Sequence, residues 1–187
     1  MNGKRSIDTL NDSKDVNNIF KKAKVDMISS DMITINYNNG DIYQGGYKNN
    51  KREGNGIYKH KNGDIYEGGY SDNKKNGYGV FTSVNGSIYT GNWHDDKCTG
   101  KGIFKFNGAK PYIYEGEFKN NKKNGYGIIK RIINNCEFEY TGNWINDMKH
   151  GQGFMISKNL IYIGDFHEDE ISGNGIMWYL GKCLYKG

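Results

Sequence analysis

Proline and cysteine are scarce in this chain, and long apolar runs are missing. One proline stands among 187 residues, which excludes a collagen-like repeat although 27 residues are glycine. No apolar run approaches the roughly 20 residues of a membrane-spanning helix. The opening residues, Met-Asn-Gly-Lys-Arg-Ser-Ile-Asp, contain no apolar stretch of a secretory signal. These absences predict an intracellular protein, in the cytoplasm, that is neither secreted nor anchored by a transmembrane segment.

The sequence also lacks the patterns of metal sites and catalytic machinery. Its three cysteines, Cys98, Cys136 and Cys183, lie far apart without a Cys-x-x-Cys pair, which is typical of incidental thiols in a reducing compartment. Cys98 follows Lys97 in a predicted turn, an arrangement expected to lower the thiol pKa slightly, but the spacing offers no histidine partner. We therefore predict a non-enzymatic protein with no catalytic residue, no cofactor and no metal.

What the chain has instead is an internal repeat of 22 to 26 residues. Each of six copies opens with Tyr-x-Gly-x-aromatic, and a Gly-x-Gly pair follows eleven and thirteen residues after the tyrosine. A seventh copy begins at Tyr185 and stops at Gly187. The repeat-defining residues are Tyr43, Gly45, Tyr66, Gly68, Tyr89, Gly91, Trp93, Tyr114, Gly116, Phe118, Tyr140, Gly142, Trp144, Tyr162, Gly164 and Phe166.

Each repeat is predicted to be a β-hairpin. The tyrosine, glycine and second aromatic residue occupy alternate positions and therefore face one side of the first strand. Six polar-rich residues, Lys48–Glu53 in the first repeat, are expected to form the turn, and the second strand is expected to begin at Gly-x-Gly. Because glycine inside a strand is costly, we expect aromatic rings of the same or the adjacent hairpin to lie over the bare backbone.

The predicted fold class is all-β, since single hairpins are marginal and must stack. We expect an elongated, single, twisted antiparallel meander of repeated β-hairpins, preceded by a short N-terminal helix or a disordered arm. Residues 1–30 form this arm, and residues 31–187 form the array, with a half repeat at 31–42. The Gly-x-Gly pairs open strands rather than helices, so they do not predict a nucleotide site.

The pattern resembles the membrane occupation and recognition nexus (MORN) repeat over residues 40–187. The resemblance implies a meander of hairpins that acts as a scaffold, with roles in membrane or phosphoinositide association. This chain carries tyrosine in repeats one and two where the family prefers tryptophan. Its connectors at 108–113 and 132–139 are longer than usual, which leaves the geometry of those turns open.

The N-terminal arm contains apolar residues at helical spacing, with Lys21, Lys22 and Lys24 on the opposite side. One interpretation is a helix that caps the first hairpin. Others are a basic amphipathic helix on a membrane, a nuclear import signal that combines Lys4-Arg5 with Lys21–Lys24, and simple disorder. The apolar residues are Val16, Ile19, Phe20, Ala23 and Met27.

Basic residues recur at equivalent positions of the predicted hairpin turns, and residues 40–135 carry 16 basic and 9 acidic side chains. We call the basic residues at these equivalent positions the basic row. Turns repeated about every 10 Å would present it to anionic lipid headgroups or to a partner. Alternatively, these are solvated lysines that protect sheet edges from aggregation. The basic row consists of Lys51, Arg52, Lys74, Lys75, Lys97, Lys122, Lys123 and Lys149.

The sequence therefore predicts a scaffold for protein–protein interaction that binds an unidentified partner through an exposed aromatic and apolar face. The alternative is a peripheral membrane adaptor that binds anionic lipid headgroups through the basic row. Because the chain ends one strand into a seventh repeat, an open C-terminal edge strand is a third expectation, for self-association. Nucleic acid fits poorly as a partner, because arginine is rare and no recognition helix is evident.

Overall fold

The described part of the chain is a single antiparallel β-sheet in which every strand pairs with its neighbours in sequence. The computed structural model describes residues 32–133, 136–179 and 182–186, and the side chains of 132–137 and 182–186 are not described. The predicted all-β meander of hairpins is confirmed. The predicted arm at 1–30 and its helix lie outside the described residues. The strands are β1 Met32–Asn36, β2 Ile42–Lys48, β3 Lys51–Lys59, β4 Ile65–Ser71, β5 Lys74–Thr82, β6 Ile88–His94, β7 Lys97–Phe106, β8 Tyr112–Lys119, β9 Lys122–Ile133, β10 Cys136–Ile145, β11 Met148–Ser157, β12 Leu160–His167, β13 Glu170–Tyr179 and β14 Lys182–Lys186.

The hairpin turns contain two residues rather than six. In the first repeat, Asn49 and Asn50 have φ angles of 52° and 60°, and β3 begins directly afterwards at Lys51. Two left-handed residues form the hairpin turn whose twist matches that of the strands, and Asn and Asp tolerate this conformation. The expectation that the second strand begins at Gly-x-Gly is therefore wrong. The turn pairs are Asn49-Asn50, Asp72-Asn73, Asp95-Asp96, Asn120-Asn121, Asn146-Asp147 and Glu168-Asp169.

The opening tyrosine of each repeat lies over the glycine backbone, as expected. In the second repeat a Cβ atom on Gly79 would lie 2.4 Å from Tyr66 Oη, so no side chain fits there. The Tyr66 hydroxyl donates a hydrogen bond of 3.0 Å to the carbonyl of Gly69, at a β-bulge where the β4–β5 register shifts. All six opening tyrosines donate to the carbonyl three residues ahead, at 2.7–3.1 Å.

The aromatic rings form one continuous ladder on one side of the sheet, which we call the inner face. Successive rings meet edge to face, with centroids 4.9–5.4 Å apart, a geometry that stabilises each pair by about 0.5–1.5 kcal/mol beyond area burial. The ladder is buried, so the predicted exposed aromatic face is wrong for these rings. In order of contact they are Tyr43, Tyr70, Tyr66, Trp93, Tyr89, Phe118, Tyr114, Trp144, Tyr140, Phe166 and Tyr162.

The turn residues also connect neighbouring repeats. Asn73 donates its backbone N–H to the Arg52 carbonyl, and its side-chain oxygen accepts the Arg52 N–H at 2.8 Å. Four further repeat pairs use an Asn or Asp at the second turn position in the same way. The long connector at 132–139 is accommodated by extending β9 to Ile133 and starting β10 at Cys136. The repeats therefore form one continuous hydrogen-bonded array.

Candidate functional site

The basic row does not lie in the turns, because its residues begin the second strand of each hairpin. Alternation along the strand then sends neighbouring side chains to opposite faces. The first residue of these strands belongs to the outer face, opposite the ladder, and the residue that follows it points to the inner face. The outer residues are Lys51, Lys74, Lys97 and Lys122. The sequence had suggested one continuous row, and the structure divides it in two. The inner residues are Arg52, Lys75, Lys123 and Lys149.

The inner cations lie against the aromatic ladder. Lys75 Nζ is 4.8 Å from the centroid of the Trp93 ring, and Lys123 Nζ is 4.6 Å from that of Trp144. Burial lowers the pKa of both lysines. A cation over an aromatic face contributes about 0.5–2 kcal/mol. These side chains therefore take part in the packing of the ladder.

Several cations of the row also have acidic partners in the next turn. Lys51 pairs with Asp72, and Lys74 lies 3.2 Å from Asp95. Lys149 pairs with Asp169 at 3.3 Å. The turn edge consequently alternates basic and acidic groups. Binding of lipid by the row stays a prediction.

Cys98 occupies the inner position between Lys75 and Lys123. The thiol lies partly buried against the ladder, and burial raises its pKa to about 11. The expectation that Lys97 lowers this pKa is wrong, because Lys97 points to the other face of the strand. A thiol with a raised pKa is a poor nucleophile.

The outer face contains a groove that the sequence analysis did not identify. The groove measures about 460 Å³ and crosses strands β5 to β9. Tyr78 and Tyr126 line it with 53% and 54% of their surface exposed, in contrast to the buried tyrosines of the ladder. Ile103 and Ile128 add partly buried apolar surface.

Thr90 lines the groove with an unsatisfied hydroxyl. Its side chain is 2% exposed, and its Oγ1 atom has no hydrogen-bond partner among the described residues. An unpaired buried hydroxyl costs about 1–3 kcal/mol, since it gives up water without gaining a partner.

The groove also carries more acidic than basic charge. Glu115, Glu117 and Lys101 line it, and neither glutamate forms an ion pair within the described part of the chain. The sequence did contain a signal for this site. The middle residue of Gly-x-Gly faces the outer side, and it is tyrosine only in the second and fourth complete repeats.

The described residues contain no group of three or more His, Cys, Asp or Glu side chains arranged to hold a metal ion. Over the same ranges, no helix has the length and apolar composition that crossing a membrane requires.

Comparison with protein-family models identifies the MORN repeat at six places, residues 43–65, 66–88, 89–108, 114–131, 140–159 and 162–179. The chain belongs to the MORN repeat family. Each matched segment begins at an opening tyrosine, and the first two extend to the residue before the next one. No curated protein matches the chain.

Proposed function

We propose that this MORN-repeat chain is a non-enzymatic scaffold that binds a protein partner in the groove of its outer face. The observation that carries the proposal is the pair of exposed tyrosines, Tyr78 and Tyr126, that line this groove. Tyrosine is enriched at protein interfaces because it buries a large ring while its hydroxyl still finds a partner. The inner face is already filled by the ladder, which leaves the outer face for a partner.

The shape and chemistry of the groove favour a peptide segment as ligand. Partly buried Ile103 and Ile128 suit an apolar side chain. Glu115 and Glu117 suit a lysine or arginine beside that apolar residue. The expected ligand is therefore a peptide with apolar and basic residues.

A peptide-display selection against the purified chain tests this function. We expect enrichment of peptides with an apolar residue near a lysine or arginine, and loss of their binding in a Tyr78→Ala/Tyr126→Ala variant. Tyr47→Ala is the matched control, since Tyr47 is an exposed tyrosine of the inner face. No enrichment, or binding that the double variant retains, would contradict the proposal.

A further inference from the structure

We propose that His150 and His167 form a two-histidine site for a divalent transition-metal ion, which joins the fifth and sixth repeats. The site lies on strands β11 and β12, apart from the groove on β5 to β9, and it does not depend on the proposed function. Spacing along the sequence predicts no metal site, since the four histidines lie far apart. Such spacing does not reveal pairs that form across strands.

The two histidines face each other on the outer side of the sheet. Gly151 pairs with Phe166. In an antiparallel register the residues just outside this pair, His150 and His167, lie opposite each other. Phe166 belongs to the inner ladder, so alternation sends His167 to the outer face. His150 also points outward, because the preceding Lys149 lies against the inner ladder. The two ring centroids are 4.9 Å apart, with an angle of 55° between the ring planes.

The same pair of positions occurs between every two successive complete repeats, but only here are both residues histidine. Each pair joins the residue before Gly-x-Gly to the residue after the second aromatic residue of the next repeat. Between repeats two and three, His94 lies opposite Asn76, so the equivalent histidine has no imidazole beside it. His94 is therefore an internal control with the same strand position. The remaining pairs are Glu53 with Ser71, Thr99 with Lys119, and Asn124 with Ile145.

Both rings have nitrogen atoms available for an ion. Neither ring forms a hydrogen bond or an ion pair with the residues that the structure describes. His167 is exposed and His150 is partly buried, so an ion can reach the pair from solvent. The facing edges of two rings at this separation can bring two nitrogens to about 3.4 Å from each other, which a tetrahedral ion with bonds of about 2.0–2.1 Å requires.

The charge around the pair favours a cation. Three consecutive acidic residues, 168–170, follow His167, and Glu170 is in register with it on β13. Asp169 is paired with Lys149, whereas Glu168 and Glu170 form no ion pair within the described ranges. The carboxylates that are not paired leave a negative potential beside the two rings, which attracts a positive ion.

Two imidazole ligands select the class of ion. Imidazole suits Cu²⁺, Ni²⁺ and Zn²⁺, whereas Mg²⁺ and Ca²⁺ prefer oxygen ligands. No third His, Cys, Asp or Glu side chain of the described residues is arranged to join the pair, so water completes the coordination. The ion would connect β11 to β12 at the end of the strands that is remote from their turn at 158–159. Because it binds only while the strands are paired, it stabilises the folded array.

Titration of the full-length chain with Zn²⁺, followed through the NMR signals of the histidine ring nitrogens, tests the inference. We expect the signals of His150 and His167 to shift together along one binding curve, while those of His94 stay unchanged at the same Zn²⁺ concentration. Mg²⁺ should shift neither pair member. The ring signals report the histidines directly, so zinc bound by a thiol elsewhere does not produce this result.

Single substitutions distinguish one shared ion from two independent histidines. Two linked ligands hold one ion about 10²–10⁴-fold more tightly than either ligand alone. His150→Gln should therefore weaken Zn²⁺ binding at His167 by about 100-fold or more, and His167→Gln should do the same at His150. His94→Gln is the matched control and should keep the wild-type affinity. Thermal unfolding without Zn²⁺ verifies that each variant folds, and Zn²⁺ should raise the unfolding midpoint only where both histidines are present.

Three results would overturn the inference. The ring signals of His150 and His167 may stay unshifted with Zn²⁺, they may shift along separate binding curves, or either ring may keep its Zn²⁺ affinity after the other histidine is replaced. The first result needs only the wild-type chain, so it decides the question even if a glutamine variant does not fold.

Discussion

Asp96 and Lys75 are joined by two hydrogen bonds across neighbouring repeats. The carboxylate of Asp96 accepts the backbone N–H of Lys75 at 2.9 Å, and the N–H of Asp96 donates to the Lys75 carbonyl at 3.1 Å. Asp96 is also one of the two left-handed residues of its own turn. A single residue therefore shapes one hairpin and attaches it to the preceding one.

Loss of this connection should destabilise the array. We expect Asp96→Ala to lower the free energy of unfolding by about 1 kcal/mol more than Asp95→Ala, measured by chemical denaturation. Both substitutions place alanine at a positive φ, but Asp95 makes only an exposed ion pair with Lys74. Asp96→Asn keeps a side-chain oxygen that accepts the Lys75 N–H, so this variant should lose little stability. Equal losses for the two alanine variants would contradict the proposed role of the Asp96 carboxylate.

Two buried tyrosines of the second repeat should respond oppositely to loss of the hydroxyl. Tyr66 donates to the Gly69 carbonyl, whereas Tyr70 Oη is buried with no hydrogen-bond partner among the described residues. We expect Tyr66→Phe to lower the free energy of unfolding by about 1–2 kcal/mol, and Tyr70→Phe to leave it unchanged or raise it. Thermal unfolding compares the stability of each variant with that of the wild type. Similar destabilisation by both would show that the hydrogen bond is not the reason for tyrosine at the opening position.

The two glycines of each Gly-x-Gly pair should tolerate different substitutions. Gly77 has a φ of 83°, and a Cβ atom added to it would meet nothing within 4 Å, so Gly77→Asn should cost less than about 1 kcal/mol. Gly79 lies under the Tyr66 ring, and Gly79→Ala should cost about 3 kcal/mol because the ring must move. Denaturant titration of both variants distinguishes a conformational requirement from a steric one. The opposite ranking would refute this assignment.

Stability should fall at alkaline pH. Burial raises the pKa of Tyr43, Tyr58 and Tyr140 to about 12, from the ordinary value of 10.0. Between these values the folded state binds more protons than the unfolded state, so the free energy of unfolding decreases as pH rises. We expect the denaturation midpoint to drop from about pH 10 upward. Phenolate absorbance of these tyrosines should appear only as the protein unfolds, and their ionisation in the folded protein near pH 10 would contradict this.

The membrane alternative depends on the basic row. Since much of the row is stacked on rings or paired with aspartates, we expect no selective flotation with anionic liposomes at about 0.15 M salt. Neutral liposomes are the control. Anionic flotation that is abolished by charge reversal at Lys97 and Lys122, which form no ion pair among the described residues, would instead support the membrane adaptor. The two lysines lie on the outer face, so their reversal leaves the ladder intact.

The architecture was predictable from the sequence because the repeat residues act locally. Tyr66, Gly68 and Gly79 identify a strand pair wherever they occur, since a ring over a bare backbone needs that spacing. The length of the turns was not predicted correctly. The run from Lys48 to Glu53 is polar throughout, and polarity alone does not distinguish a two-residue turn from the strand residues that follow it.

The candidate site was harder to predict, because it depends on residues that meet only across strands. Tyr78 and Tyr126 are 48 positions apart in sequence, and their exposure follows from which face they occupy. Lys74 and Lys75 are neighbours in sequence but belong to opposite faces. The sequence by itself determined the hairpin repeat and the position of aromatic rings over the glycine backbone, because these contacts lie within one or two repeats. Only the tertiary structure decided which face remains open and where its groove lies, because register, bulges and turn conformation together set the direction of each side chain.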